Sequence, residues 1–176
     1  IKMADGTFAV LMLVFGFADM STNYCATGKG CLGRTDQAPR LSVSLGRIIE
    51  RQASSGEEIY ARYDLNYKNG PFGHALGFSI GDKGAMWLGM GQTYFLRSSS
   101  SPVSIEMHAM TGLYEPGGGI NLGGPIQFRS GIQMSYESNN GWSYGLGYDH
   151  RSNMEIYKEN PGVETFHFRI TRKLRK

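Results

Sequence analysis

The chain has two cysteines and six prolines among 176 residues, and charged side chains make up only 19% of it. No apolar run reaches the roughly eighteen residues that a membrane-crossing helix needs, which excludes a helical membrane protein. The formal net charge is a mild +3. No block of Lys or Arg precedes the last six residues, so a nucleic-acid partner has no electrostatic footprint here. Zinc would call for further Cys or His at ligand spacing beside Cys25 and Cys31, and none follows, so no metal site is expected. A local disulfide within CATGKGC, formed in an oxidising compartment, suits the pair better. Disorder is also excluded, because hydrophobic residues reach 40%.

What the chain has in excess is glycine, with 25 residues, and aromatic rings, with ten Tyr and nine Phe. Those residues favour strands and turns over helices. From residue 40 onward the pattern has period two. Leu41, Val43 and Leu45 alternate with serines, and Ile59 to Tyr67 alternate with Glu58, Arg62 and Asp64. Phe72 to Ile80, Met86 to Met90, Ile105 to Leu113, Ile126 to Tyr136, Trp142 to Tyr148 and Phe166 to Ile170 continue it. Turn material separates these segments: KNGP, GDKG, SSSSP, EPGGGINLGGP and ESNNG. The series predicts eight antiparallel strands of about ten residues, joined in sequence.

The two faces differ in an instructive way. One carries large rings and branched aliphatics. The other carries Arg62, Asp64, Glu106, Arg129, Glu137 and Arg169 among Gly and Ser. Small residues and opposite charges fit the inside of a narrow barrel, where charges pair. Large apolar groups fit a lipid-facing band. Ten-residue strands tilted near 45° match the bilayer, and closure leaves no sheet edge in hydrocarbon. The expected fold is therefore all-β: an eight-stranded antiparallel up-and-down transmembrane β-barrel. A soluble lipocalin-like barrel has the same alternation turned inside out. His108 and His167 read as structural groups of the lumen, and His74 as structural on the third segment.

The barrel is expected over residues 40–176. Residues 19–39 read as a loop-like N-terminal extension. Thr7 to Ala18, TFAVLMLVFGFA, is too short to span a bilayer and suits a signal-peptide core, with Gly16-Phe17-Ala18 as its cleavage site. Lys2 and Asp5 make a poor leading region for such a signal, and a buried strand or short helix is the other reading. The basic end Arg172 to Lys176 departs from the aromatic final residue of many outer-membrane strands, which puts the assembly signal upstream at Phe168.

Polar residues on the greasy face carry the functional signal. The seventh segment continues outward through Tyr148 to His150 and Ser152, and the eighth begins outward with Glu164 before Phe166 and Phe168. Antiparallel neighbours joined by one loop bring these three groups to one rim, within reach of a hydrogen-bonded relay. A serine hydroxyl is a poor nucleophile until a base takes its proton. His150 can be that base, and Glu164 can fix its tautomer. Asn153 could donate to a developing oxyanion. Polar residues also end lipid bands without catalysing anything, so the arrangement alone leaves both readings open.

His150-Arg151-Ser152-Asn153, followed by Asn160-Pro161-Gly162-Val163-Glu164, resembles the signature of the lipid A 3-O-deacylase family of PagL type. The resemblance implies an eight-stranded outer-membrane barrel of the bacterial outer membrane with a Ser-His-Glu triad on its outer wall. It implies hydrolysis of an ester-linked acyl chain, at the 3 position of lipid A, in lipopolysaccharide. Ser152 is then nucleophile, His150 base, Glu164 orienting acid and Asn153 the oxyanion donor, with no cofactor. Leu146, Tyr148, Phe166 and Phe168 would flank the acyl chain, and Arg151 and Lys158 are candidates to meet phosphates. The first forty residues have no counterpart in that pattern.

The rival function is a non-enzymatic small outer-membrane barrel, an adhesin or structural protein, with EPGGGINLGG as its working loop. The membrane reading predicts that the expressed chain partitions into detergent and not into buffer. Recovery in the aqueous phase, folded, would support the lipocalin-like alternative.

Overall fold

The computed structural model describes residues 6–50, 53–98 and 100–175. Lys2, Asp5, Ser99 and Lys176, all used in reading the sequence, lie outside the described residues. Nine strands form. A short β1 (Arg34–Asp36) precedes eight long ones: β2 (Arg40–Glu50), β3 (Ala53–Asn69), β4 (Phe72–Gly81), β5 (Met86–Arg97), β6 (Val103–Glu115), β7 (Ile126–Glu137), β8 (Trp142–Ser152) and β9 (Val163–Lys173). Each long strand pairs antiparallel with the next, and β9 returns to pair with β2, which closes the barrel. The expected up-and-down topology is what forms.

Alternation decides which side is which. Leu88 is 61% exposed while its neighbour Trp87 is fully buried, so rings and charges go inward and aliphatics go outward. A soluble barrel would reverse this. Trp87 fits inside because Gly89 and Gly112 carry no side chain: a Cβ at either would collide with the indole.

The lumen is ionic. Arg129 bonds Glu58 at 2.8 Å and Asp149 at 2.6 Å. Arg62 bonds Asp64 at 2.9 Å and also grips Glu106. Glu58 further accepts from Ser79 at 2.8 Å and from Arg151. The Arg129 guanidinium lies 3.9 Å from the centre of the Tyr60 ring. His108 and His167 sit in this network beside Asp149, as the sequence implied. Charges in a narrow bore are tolerable only when each has partners.

The two rims differ. The barrel begins at Arg40 and ends at Lys173 on one rim, which otherwise carries short turns. The opposite rim carries the long connections after β6 and β8, at 116–125 and 153–162. Outer-membrane barrels put short turns in the periplasm and longer loops outside. The second rim is thus extracellular. Its two long loops interlock: Asn153 Nδ2 donates to Leu122 O at 2.8 Å, and Leu122 is fully buried. The glycine-rich loop is therefore packed over the lumen mouth.

The N-terminal segment brings the main surprise. Thr7–Asp19 forms helix α1, continued by a π-helical turn at Met20–Tyr24. α1 lies on the outer wall, with Phe8 edge-on to Tyr148 of β8 and Phe17 edge-on to Phe72 of β4. It covers Phe72, Tyr94 and Met107, which the alternation alone would leave facing lipid. Its other side, including Val10, Val14 and Phe15, stays exposed. No described helix is long and apolar enough to cross a membrane. Cys25 and Cys31 form the disulfide expected. Its loop is tied to the barrel by Asn69 Nδ2 donating to Leu32 O at 3.1 Å and by β1 pairing with the end of β3.

The lumen network yields a stability test. Glu58→Ala leaves Arg151 without its carboxylate partner inside the barrel. It is expected to cost about 3–5 kcal/mol, read by urea unfolding in detergent micelles. A loss under about 1 kcal/mol would show that these charges do not depend on one another.

Candidate active site on the outer wall

β8 and β9 set the site by register. His150 stands directly opposite Glu164 on the outward face, at the extracellular end of both strands. His150 Nδ1 and Glu164 Oε1 are 2.9 Å apart. A carboxylate only accepts, so Nδ1 donates, which makes Nε2 the basic nitrogen while the imidazole is neutral. Tyr148, two residues back on the same face, also directs its hydroxyl at Glu164. Ser152 follows His150 on this face and is 1% exposed.

Two further features shape the site. Gly162 has φ +64°, and a Cβ there would sit 3.3 Å from His150 Cε1. Glycine thus serves both the backbone turn and the close approach to the imidazole. Met154 and Glu155, just beyond Ser152, also have positive φ, at 51° and 62°. Non-glycine residues rarely adopt that region, and strain of this kind gathers at functional loops.

Some expected roles move. Asn153 is fully buried, and its amide is turned away from Ser152 into the loop: Nδ2 donates to Leu122 O and, at 2.6 Å, to Glu159 O. Both amide hydrogens are spent there, and its backbone N–H donates to Asn160 Oδ1 at 3.0 Å. In this structure the Asn153 side chain clamps the loop. Arg151 points into the lumen and pairs with Glu58, so it cannot meet a phosphate outside. Alternation dictates this, since it lies between two outward residues. Lys158 is exposed on the 153–162 loop.

Leu146, Tyr148, Phe166 and Phe168 all face outward, as two cross-strand pairs, Leu146 with Phe168 and Tyr148 with Phe166. They form an apolar panel below the site, of which Tyr148 is partly covered by Phe8. Sequence reasoning missed the other side of the site. His150 and Ser152 open into a cavity of about 280 Å³ between α1 and β5–β7, lined by Ala9, Met12, Ala109, Phe128 and Ser130 among others. The signal was present: Ser130 and Ala109 are small residues in an otherwise bulky outward pattern. No group of His, Cys, Asp or Glu suited to a metal ion occurs among the described residues.

A closed eight-stranded barrel with an apolar outside and an ionic lumen is a small outer-membrane barrel of the bacterial outer membrane. The solved outer membrane enzyme PagL has the same fold: TM-score 0.58, 18% identity, covering 77% of this chain and 99% of that one. A de novo designed transmembrane β-barrel is similar too, with TM-score 0.58 and 9% identity over 80% of this chain and 98% of that one. So is Neisserial surface protein A, with TM-score 0.53 and 13% identity over 81% and 99%. No curated protein matches at the level of sequence. The model of the family PagL, lipid A 3-O-deacylase, matches residues 55–172, and the chain belongs to that family. It is a lipid A deacylase of the outer membrane.

The clamp assignment makes a prediction. Asn153→Ala is expected to destabilise by about 1–3 kcal/mol and to speed limited proteolysis within 153–162. An unchanged loop with a lost reaction rate would return Asn153 to the oxyanion.

Proposed function

We propose that this protein removes the ester-linked acyl chain at the 3 position of lipid A, with Ser152, His150 and Glu164 acting as a triad. The observation that carries this reading is the hydrogen bond between His150 and Glu164 on the lipid-facing wall, beside Ser152, at the extracellular rim. Lipid A occupies the outer leaflet, so its ester bonds lie at that depth. Polar groups facing lipid are costly, and a carboxylate–imidazole pair there calls for a use.

In the proposed reaction Ser152 Oγ attacks the ester carbonyl while His150 Nε2 takes the serine proton. Glu164, bonded to Nδ1, stabilises the imidazolium that results. A backbone N–H of the loop held by Asn153 meets the oxyanion. The tetrahedral intermediate collapses, the C–O bond to the sugar breaks, and His150 returns the proton to the departing hydroxyl. Water, deprotonated by His150, then cleaves the acyl-serine and releases the fatty acid. Burial of the site strengthens each of these electrostatic contacts. Leu146, Phe166 and Phe168 form the apolar surface against which neighbouring chains of the same lipid lie.

Expression in a bacterial host without such an activity, followed by mass spectrometry of its lipid A, tests the proposal. The expected product lacks one hydroxyacyl chain, and fragmentation assigns the vacated position as 3. Ser152→Ala, inserted in the membrane at wild-type level, is expected to lose at least about 10⁴-fold in rate. Full deacylation by that variant rejects the triad, and loss of a chain from another position rejects the regiochemistry.

A further inference from the structure

Level with His150, the outer wall carries a row of short side chains. Ser130 stands opposite His150 across the ladder, and Ala109 stands opposite Ser130. The rows on either side are bulky, with Phe128 on one side and Ile132 and Met107 on the other. A trough therefore leaves the site and crosses β7 and β6 towards Gln92 of β5, which stands opposite Ala109. α1 lies over the trough with Ala9, Met12 and Leu13 turned to it, and the space between helix and wall is about 280 Å³. His150 and Ser152 close one end.

We propose that α1 is a retained working part of the enzyme, and that it roofs a slot which receives the scissile acyl chain and selects its length. This rests on the esterase reading above. The chemistry of the slot names its occupant. Its floor and roof are mainly hydrocarbon, with polar side chains such as Ser130 and Gln92 between, His150 and Ser152 lie at one end, and its volume is near the low end of small-molecule pockets, about 300–1,000 Å³. A linear acyl chain with its carbonyl at Ser152 fits that description.

The roof matters for a physical reason. Bilayer tails are as apolar as a leucine-covered wall, so an open wall has no hydrophobic preference for one chain over another. A roofed slot adds shape where that preference is absent. A chain too long meets the far end at Gln92, and a chain too short leaves space unfilled. Differences of one or two methylenes in such a pocket change rates by about 10–200-fold.

The position of α1 is over-determined. Met12 is buried against Phe72, Tyr94 and Met107. Gly16 faces the Phe72 ring so closely that a Cβ would collide with it. Below, Lys68 Nζ donates to Tyr24 Oη at 2.8 Å, and the disulfide loop is tied to the β3–β4 turn. The family match spans residues 55–172 and does not include the helix.

The test uses full-length protein extracted from outer membranes. Its intact mass is measured first, then hydrolysis of synthetic esters with short (about four-carbon) and long (about twelve-carbon) acyl chains. The mass is expected to include Thr7–Asp19. Ala9→Phe, from the roof, and Ala109→Leu, from the floor, are expected to lower the long-to-short rate ratio about tenfold or more. Met90→Ala enlarges the far end without crowding and is expected to shift preference towards longer chains. Val10→Phe, on the lipid side of α1, should leave the ratio at its wild-type value. A mature chain without α1, or ratios unmoved in Ala9→Phe, Ala109→Leu and Met90→Ala alike, overturns the inference while leaving the esterase standing. A wild type that cleaves neither lipid A nor any ester overturns both.

Discussion

A sheet in hydrocarbon must satisfy every backbone N–H and C=O within itself, and closure is the arrangement that does so for strands. The rest of this molecule follows from that constraint. Once β9 pairs with β2, the strands have an inside and an outside with opposite requirements, and period two sends alternate residues to each. The outside is solvated by lipid and must be apolar. The inside is narrow and cut off from lipid, so it takes the charges and leaves them to one another. Wherever the outward row turns polar, as at His150, Ser152 and Glu164, the chain departs from what the bilayer asks. The same rule sends Arg151, which lies between two of those residues, inward to Glu58.

The ionic lumen has a second consequence. Arg129 is held by carboxylates from β3 and β8, and Arg62 by carboxylates from β3 and β6. The Arg129–Glu58 and Arg62–Glu106 bonds cross the bore and couple strands that are not neighbours in the ladder. They oppose flattening of the barrel, and a barrel of fixed section keeps β8 and β9 in fixed register at the rim. Glu58 joins the inner network to Arg151, the residue between His150 and Ser152. Positioning of the site therefore begins on the far side of the wall that carries it.

The barrel and the placement of the candidate site residues were legible because both are written in local code. Alternation over ten residues marks a strand whatever surrounds it, and His150, Ser152 and Glu164 share parity with the greasy face. What escaped was non-local. Asn153 reads as an oxyanion donor by its place beside Ser152, but Leu122, 31 positions away, takes its amide. Met107 and Phe72 read as lipid-facing, because nothing in a strand's own pattern announces a helix docked on it. TFAVLMLVFGFA is apolar all round, so its periodicity does not say which side meets a partner, and a short apolar run leaves helix and strand undistinguished. Ser130 and Ala109 gain meaning only when register aligns them across two strands.

That docked helix raises the question of what holds an apolar segment to an apolar wall in an apolar solvent. Burial from water supplies nothing, because lipid would cover either surface equally well. What remains is packing, backbone satisfaction and tethering. α1 satisfies its own backbone internally, so it can lie in hydrocarbon without a sheet to join. Gly16 meets the Phe72 ring of the wall, which lets helix and strand approach more closely than a larger side chain would allow. The tether is short: β1 and the disulfide loop fix the chain to the end of β3 a few residues after the helix ends. A segment so linked searches a small volume and keeps a high effective concentration at the wall. Shape and tether together thus supply the attachment that the hydrophobic effect cannot, and they put the helix over the part of the wall where Ser130 and Ala109 are short.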